Sequence, residues 1–424
     1  MLFRSLGAAT GTTTKTINIT PTNDKPVVTA GATLAYAEND AATAIDGTMT
    51  VSDTDDTQIT GATATISAGL TTGDLLAVTT QNGISGTYSS VTGVLTLSGT
   101  TTLADYQAAL RSVTYQSTSE DPTVTAVNRT VTWAVTDANS DLVGAQTSVA
   151  VTSTITITPI NDKPVVTAGA TLAYTENAAA TAIDGTMTVN DADDTQITGA
   201  TATISAGLTT GDLLAVTTLN GISGSYSAGT GVLTLSGTAT LANYQAAFRR
   251  VTYQSTSEDP TSTAGSRTVT WAVTDANSDL AGAQTSVAVT STINLTAVND
   301  LPVILVTGTA SLLENGLALT VDSTTTVTDS DDTLIDGGSV RITAGFLTGD
   351  TLTTTDSGNV IYSYDSATGV LTLSGLDTLA SYQTVLRSLT YVTASEDPTD
   401  NATKLTRVLT YSLTDANSDG LGAA

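Results

Sequence analysis

Apolar residues alternate with threonine in short runs along this chain. Thr48-Met49-Thr50-Val51, Ala62-Thr63-Ala64-Thr65-Ile66, Gly93-Val94-Leu95-Thr96-Leu97 and Thr130-Val131-Thr132-Trp133-Ala134-Val135 follow a period of two. That period places successive side chains on opposite faces of a strand, so each run is predicted as a half-buried β-strand. Threonine suits the wet face, because its branched stem fits the pleat and its hydroxyl meets water. Turn-forming residues separate the runs, as at Gln81-Asn82-Gly83. Many short strands with turns between them predict an antiparallel β-sandwich.

One stretch breaks the alternation. Leu103, Tyr106 and Leu110 stand at helical spacing within Leu103–Arg111, with Thr102 placed to cap and Asp105 three residues on. A short helix packed on the sandwich is predicted, with Tyr106 as a core anchor that recurs as Tyr244 and Tyr382. Trp133 and Trp271 share one late strand, and Tyr411 takes that place later in the chain. All three read as core residues; stacking on a sugar would require exposure.

The whole pattern repeats. Asn23-Asp24 returns at Asn161-Asp162 and Asn299-Asp300, a step of 138 residues each time (161 − 23 and 299 − 161). A block of that size can bury its own core. The expected organisation is residues 1–21 as a final strand belonging to a preceding or neighbouring domain, then repeats at 22–160, 161–298 and 299–424. The third repeat lacks its last strand. A segment like Gly144–Thr158 should close each repeat, yet the third reaches Leu421-Gly422-Ala423-Ala424 without it. The chain instead opens with such a segment, Leu6-Gly7-Ala8-Ala9-Thr10 followed by Thr16-Ile17-Asn18-Ile19-Thr20. Repeats one and two are close to identical. The third carries Leu301 where the others have Lys25 and Lys163, and two extra residues after Glu396-Asp397-Pro398, which marks a loop there.

Charge narrows the chemistry. Forty Asp and Glu face 13 Lys and Arg, for a net charge of −27. That excludes the basic surface nucleic acid needs and disfavours an anionic membrane. No run approaches a membrane span of about 20 apolar residues. Met1–Leu6 is too short and too polar for the apolar core of a signal peptide, so a secretion signal is expected outside this sequence. The chain has no Cys and no His. Zinc, iron and copper lose their usual ligands, which leaves oxygen and therefore calcium.

Four acidic groups recur in each repeat. They are Glu38-Asn39, Asp53-x-Asp55-Asp56, Glu120-Asp121-Pro122 and Asp137-Ala138-Asn139-Ser140-Asp141, with an Asn-Asp-x-Pro linker between repeats. Aspartate is also a common turn former. Four groups and a linker returning together favour a hard dication over turns alone, since clustered carboxylates without one repel.

Glu38-Asn39, Gly47-Thr48, Val51-x-Asp53-x-Asp55 and Asn161-Asp162-x-Pro164 resemble a cadherin repeat. The stretch from Tyr106 to Tyr115 is similar to the cadherin-like repeats of very large secreted bacterial adhesins. The resemblance covers essentially the whole chain. It implies an all-β fold of tandem cadherin- or Ig-like sandwiches, an extracellular or cell-surface location, and calcium at each junction between repeats. Carried over residue by residue, one junction uses Glu38, Glu120, Asn161, Asp162, Asp191, Asp193 and Asp275. The next uses Glu176, Glu258, Asn299, Asp300, Asp329, Asp331 and Asp415. The opposite ends of the array carry half-sites: Asn23, Asp24, Asp53, Asp55 and Asp137 at one end, Glu314 and Glu396 at the other. The linkers Pro159–Pro164 and Ala297–Pro302 lack the leading Asp and trailing Asn of the family pattern, and the loop acid follows Ser rather than Arg. One or two ions per junction are therefore expected, bound at about 10⁻⁴–10⁻³ M as in other extracellular modules.

These readings converge on a rod stiffened by calcium. Two roles fit it: a passive spacer within a giant adhesin, or a subunit that joins other copies head to tail through its opening strand, as donor strands do. The loops Gly83–Gly86 and Gly221–Gly224 are candidates for binding a cell-surface glycan or a like chain. An enzyme is not expected. Most nucleophile–base pairs are missing, and carboxylate pairs repeated threefold fit structure better than one active site.

Overall fold

The computed structural model describes residues 2, 4, 7–8, 10–139, 142–277 and 280–417. Leu6 and Ala9 of the opening segment, Asp141, Asp279 and Asp419 of the fourth acidic group, and Leu421-Gly422-Ala423-Ala424 lie outside them. Two compact units are present. One comprises Met1–Lys163, Asp191–Thr195 and Asn277–Gln284; the other Pro164–Asn190, Gln196–Ala276 and Thr285–Ala424.

In the first unit the predicted strands form, mostly with longer reach. They are β1 (Val27–Thr29), β2 (Thr33–Ala37), β3 (Thr43–Ala44), β4 (Thr50–Ser52), β5 (Gln58–Ala68), β6 (Asp74–Ala77), β7 (Ser85–Ser89) and β8 (Val94–Thr102). Helix α1 (Leu103–Arg111) follows, then β9 (Thr114–Ser117), β10 (Asn128–Asp137) and β11 (Val151–Thr158). A six-stranded sheet runs β2-β11-β10-β5-β8-β7, faced by the sheet β3-β9-β6 and the pair β1-β4. One pairing is parallel: β2 lies along β11, with Thr33 opposite Thr154 and Tyr36 opposite Ile157.

The period-two reading holds at side-chain level. On β10 the inward residues are Arg129, Val131, Trp133, Val135 and Asp137, all fully buried. Trp133 is core, which closes the sugar-stacking alternative, and its indole N–H donates to Ser153 Oγ at 3.0 Å. Helix α1 begins where the Thr102 hydroxyl accepts the Asp105 amide. It buries Tyr106, Ala109 and Leu110, and the Tyr106 hydroxyl donates to Gly99 O. Burial of each such large side chain contributes about 1.5–3 kcal/mol. Gln81-Asn82-Gly83 is the expected tight turn, with φ of +50° and +79° at its last two residues. The glycine is used because φ > 0 costs it nothing. Ile84 just beyond is buried, so this loop closes on the core.

The second unit repeats the layout. Its six-stranded sheet runs Thr171–Thr175, Val289–Thr296, Ser266–Asp275, Gln196–Ala206, Val232–Thr240 and Ser223–Ser227, with a helix at Leu241–Phe248. The third repeat has a four-stranded sheet, Ile361–Asp365, Val370–Thr378, Leu334–Ala344 and Val408–Asp415, and a helix at Leu379–Arg387. Among the described residues, no strand pairs with the outer edge of Val408–Asp415. The two extra residues fall in a turn at 398–403, as expected for a loop.

Candidate metal centres

Each candidate carboxylate sits on a strand end or on a loop held by the core. Glu38 follows β2 directly. Its amide donates to Thr158 O at 3.0 Å, and its carboxylate accepts the Ile160 amide at 2.8 Å, so β2, β11 and the linker are fastened at one residue. Glu120 lies on the loop after β9. That loop is anchored from below by Arg129, whose guanidinium donates to Pro122 O and Ala126 O while pairing with buried Asp74 at 2.7 Å. Tyr115 completes this knot, its hydroxyl donating to Asp74 at 2.6 Å. The same knot recurs as Arg267, Asp212 and Tyr253, and as Arg407, Asp350 and Tyr391.

The Asp-x-Asp-Asp groups form tight turns. Asp191 Oδ1 accepts the amides of Asp193 at 3.2 Å and Asp194 at 3.0 Å, and Asp193 in turn accepts the linker amide of Asp162 at 2.8 Å. The turn reading is thus realised in these residues. One oxygen of the first Asp shapes the turn; its Oδ2 is buried and accepts no hydrogen bond.

In the first unit these elements bring Glu38, Glu120 and Asp162 together, with one carboxylate oxygen from each all within 4.8 Å of one another. Oxygens bound to a single calcium ion are at most about 5 Å apart, so the trio matches the size of one coordination sphere. Glu38 is buried, Asp162 half-buried and Glu120 exposed. Glu38 Oε1 and Asp193 Oδ1 are buried and accept no hydrogen bond. Orphaned buried carboxylate oxygens are costly unless something positive meets them. Burial, then the charges of Asp162, Asp193 and Glu120, push Glu38 up to about 7 against the pull of the Ile160 amide. Asp191 is likewise raised to about 7 by burial and by Asp193. An all-oxygen donor set crowded enough to hold protons near neutrality fits a hard dication. The Asn161 carbonyl accepts from Gln284 Nε2 at 2.7 Å. Asp275 ends its strand in the other unit, fully buried.

In the second unit the arrangement returns. Glu176, Glu258 and Asp300 place their oxygens within the same 4.8 Å. Val298 donates to Glu176 at 2.9 Å, Asp300 to Asp331 at 2.9 Å, and Asn299 Nδ2 to Asp415 at 3.2 Å. Burial and the charges of Asp300, Glu258 and Asp331 raise Glu176 to about 7. Burial and Asp331 raise Asp329 to about 6.

The two end groups differ. At the opening end, Asp24 donates to Asp55 at 3.0 Å, and Asn23 donates to Asp137 at 3.1 Å. Asp53 makes the same turn as Asp191, and the Asp137 carboxylate also accepts the Gln146 amide at 2.9 Å. Glu314 and Glu396 are exposed; Glu396 shares this with Glu120 and Glu258, whereas Glu38 and Glu176, the counterparts of Glu314, are buried. Glu38 and Glu176 are held by a final strand and a linker, and Glu314 has neither among the described residues. Four acids of the recurring groups stand outside the expected ligand sets. Asp121 lies near enough to Asp193 to feel its charge and is raised chiefly by burial. Asp56, Asp194 and Asp332 are all nearly inaccessible, and only their place after Asp-x-Asp signals them.

No family model matches the chain. It is 32% identical over 363 residues to halomucin of Haloquadratum walsbyi, which spans 82% of this chain and 3% of that protein. Solved structures similar to it include mouse protocadherin PcdhgC3 EC1-3, at 10% identity and TM-score 0.27, over 64% of this chain and 68% of that one. Protocadherin Gamma B7 cadherin domains 1-4 match at 12% identity and TM-score 0.26, over 92% and 75%. Human Protocadherin-24 EC1-2 matches at 14% identity and TM-score 0.25, over 65% and 99%. With the Glu-Asn, Asp-x-Asp and Asn-Asp-x-Pro motifs standing at strand ends, the chain is a tandem array of antiparallel β-sandwich repeats whose motifs resemble those of cadherin repeats.

Proposed function

We propose that this chain is a non-enzymatic structural protein of the cell surface whose linkers are stiffened by calcium. The observation that carries this reading is the carboxylate trio fastened to a linker by hydrogen bonds from the linker's backbone amides, Ile160 donating to Glu38 and Val298 to Glu176. Glu38, Glu120, Asp162, Asp191, Asp193 and Asn161 would hold the ion in the first unit. Glu176, Glu258, Asn299, Asp300, Asp329, Asp331 and Asp415 would do so in the second. When bound, calcium supplies the positive charge that lets these carboxylates stay ionised side by side. The ligands come together only when linker and sandwich are docked, so binding favours that state by mass action. Similarity to halomucin, a large archaeal surface protein, supports an extracellular setting. Calorimetric titration with calcium tests the reading. Binding near millimolar that Glu38→Gln and Glu176→Gln both weaken supports it; no binding at several millimolar ends it.

A second reading, that the chain joins other copies head to tail into a fibre, is favoured by one observation. Ile17 and Ile19 stand 78% and 87% exposed, whereas Ile155 and Ile157 at the matching places on β11 are buried. Among the described residues, no strand pairs with the matching edge of the third repeat, Val408–Asp415.

A further inference from the structure

Three Asn-Gly pairs occur in the chain, at Asn82-Gly83, Asn220-Gly221 and Asn315-Gly316. Asparagine before glycine is chemically labile, because a following residue without a side chain lets its backbone nitrogen reach the asparagine Cγ. The fold treats the three pairs differently. Asn82-Gly83 and Asn220-Gly221 are the tips of matching turns, closed by bridges from Gln81 to Ile84 and from Leu219 to Ile222. All four tip residues are exposed, and a side chain built at either glycine would meet nothing within 4 Å. Among the described residues, neither glycine amide donates a hydrogen bond. Gly316 differs, since its amide donates to Leu313 O at 2.9 Å. In the third repeat the matching turn reads Gly358-Asn359, which reverses the labile order.

What separates the first turn from the second is the residue its asparagine meets. Asn82 Nδ2 donates to Asp105 Oδ1 at 2.7 Å. The other oxygen of Asp105 accepts the hydroxyls of Thr101 and Thr102, each at 2.7 Å. Those bonds, Thr101 first, hold the Asp105 carboxyl below its ordinary range, so it is ionised. In the second repeat Ala239 and Asn243 stand in place of Thr101 and Asp105, and Asn220 Nδ2 donates to the neutral Asn243 Oδ1 at 2.8 Å. A charged acceptor makes the stronger hydrogen bond, so Asn82 is held against helix α1 more firmly than Asn220 is held on its own helix. The negative charge also disfavours the anionic backbone nitrogen through which ring closure passes.

We infer that Asn220 is a site of spontaneous deamidation by its own backbone, and that Asp105 protects the matching turn of the first repeat. In the step, the Gly221 nitrogen gives its proton to hydroxide and bonds to Asn220 Cγ. The Cγ–Nδ2 bond breaks, and the side-chain nitrogen takes a proton from water and leaves as ammonia. Water then opens the cyclic imide at one carbonyl or the other, leaving aspartate or isoaspartate. The product adds one negative charge at the turn and ends the donation to Asn243, so the turn loses its tie to the helix Leu241–Phe248. At Asn82 the same product would set a carboxylate against that of Asp105.

Incubating the full chain at pH 8 and mapping its peptides over time by mass spectrometry tests this. Asn220 is expected to convert first, with Asn82 and Asn315 slower by about threefold or more. Asp105→Asn raises the rate at Asn82 to that of Asn220, and Asn243→Asp slows Asn220. Each change installs the residue that the other repeat already carries, and circular dichroism checks that both variants fold. In urea, where the fold is gone, the rates at Asn82 and Asn220 converge. The assignment is overturned if Asn220 converts no faster than Asn82, if the difference persists in urea, or if the two exchanges leave the rates where they were.

Discussion

The carboxylate of Glu38 accepts the amide hydrogen of Ile160 at 2.8 Å while its other oxygen is buried without a donor. One residue thus ties the linker to β2 and presents a crowded negative charge. Glu38 is held at about 7 in the folded chain against 4.5 ordinarily. A carboxyl that keeps its proton more tightly when folded favours the folded state at low pH. Between about 4.5 and 7 the folded chain binds more protons than the unfolded one, so stability falls as pH rises through that window. In chelator, the melting temperature is expected to be higher at pH 5 than at pH 8, and Glu38→Gln with Glu176→Gln flattens the difference. A melting temperature that rises from pH 5 to pH 8 in chelator contradicts this.

Calcium is expected to reverse the slope, because the ion requires ionised ligands and its binding releases protons. Affinity measured by titration is expected to fall as pH drops from 8 to 5. Equal affinity at both values argues against Glu38 and Glu176 as ligands.

Arg129 holds Asp74 in a pair inaccessible on both sides and carries the Glu120 loop on its remaining donors. Removing one member leaves the other charged and buried, which costs about 3–5 kcal/mol. Arg129→Ala is expected to shift the urea midpoint accordingly and to expose the loop 118–127 to protease. Arg407→Ala costs less, since that side chain is already 11% exposed. Equal losses from the two would show that burial does not set the cost.

Ser153 links Trp133 to Asp46 across the first sandwich. Ser153→Ala leaves the indole N–H without its acceptor and costs about 1–3 kcal/mol in chemical denaturation. No loss would mean that water reaches this site.

Much of this was legible in sequence because strands report their faces. The alternation around Trp133 gave the buried face of β10, and Thr102 with Asp105 gave the helix start. The parallel pairing of β2 with β11 was not legible, because Leu34 and Tyr36 show nothing of which neighbour they meet. Glu120 was legible as an acid, but its anchor was not. Nothing adjacent to Arg129 in sequence signals its burial, because its partner Asp74 lies 55 residues away. Equal spacing makes Glu314 the counterpart of Glu38, yet Glu314 is exposed where Glu38 is buried. Burial there is supplied by a strand and a linker distant in sequence.

Small-angle scattering of the full chain, in millimolar calcium and then in chelator, tests the central claim most directly. A longer, stiffer particle is expected with calcium and a more flexible ensemble without it, reversibly, with Glu38→Gln and Glu176→Gln blunting the change. Scattering curves that superimpose in the two buffers would contradict it.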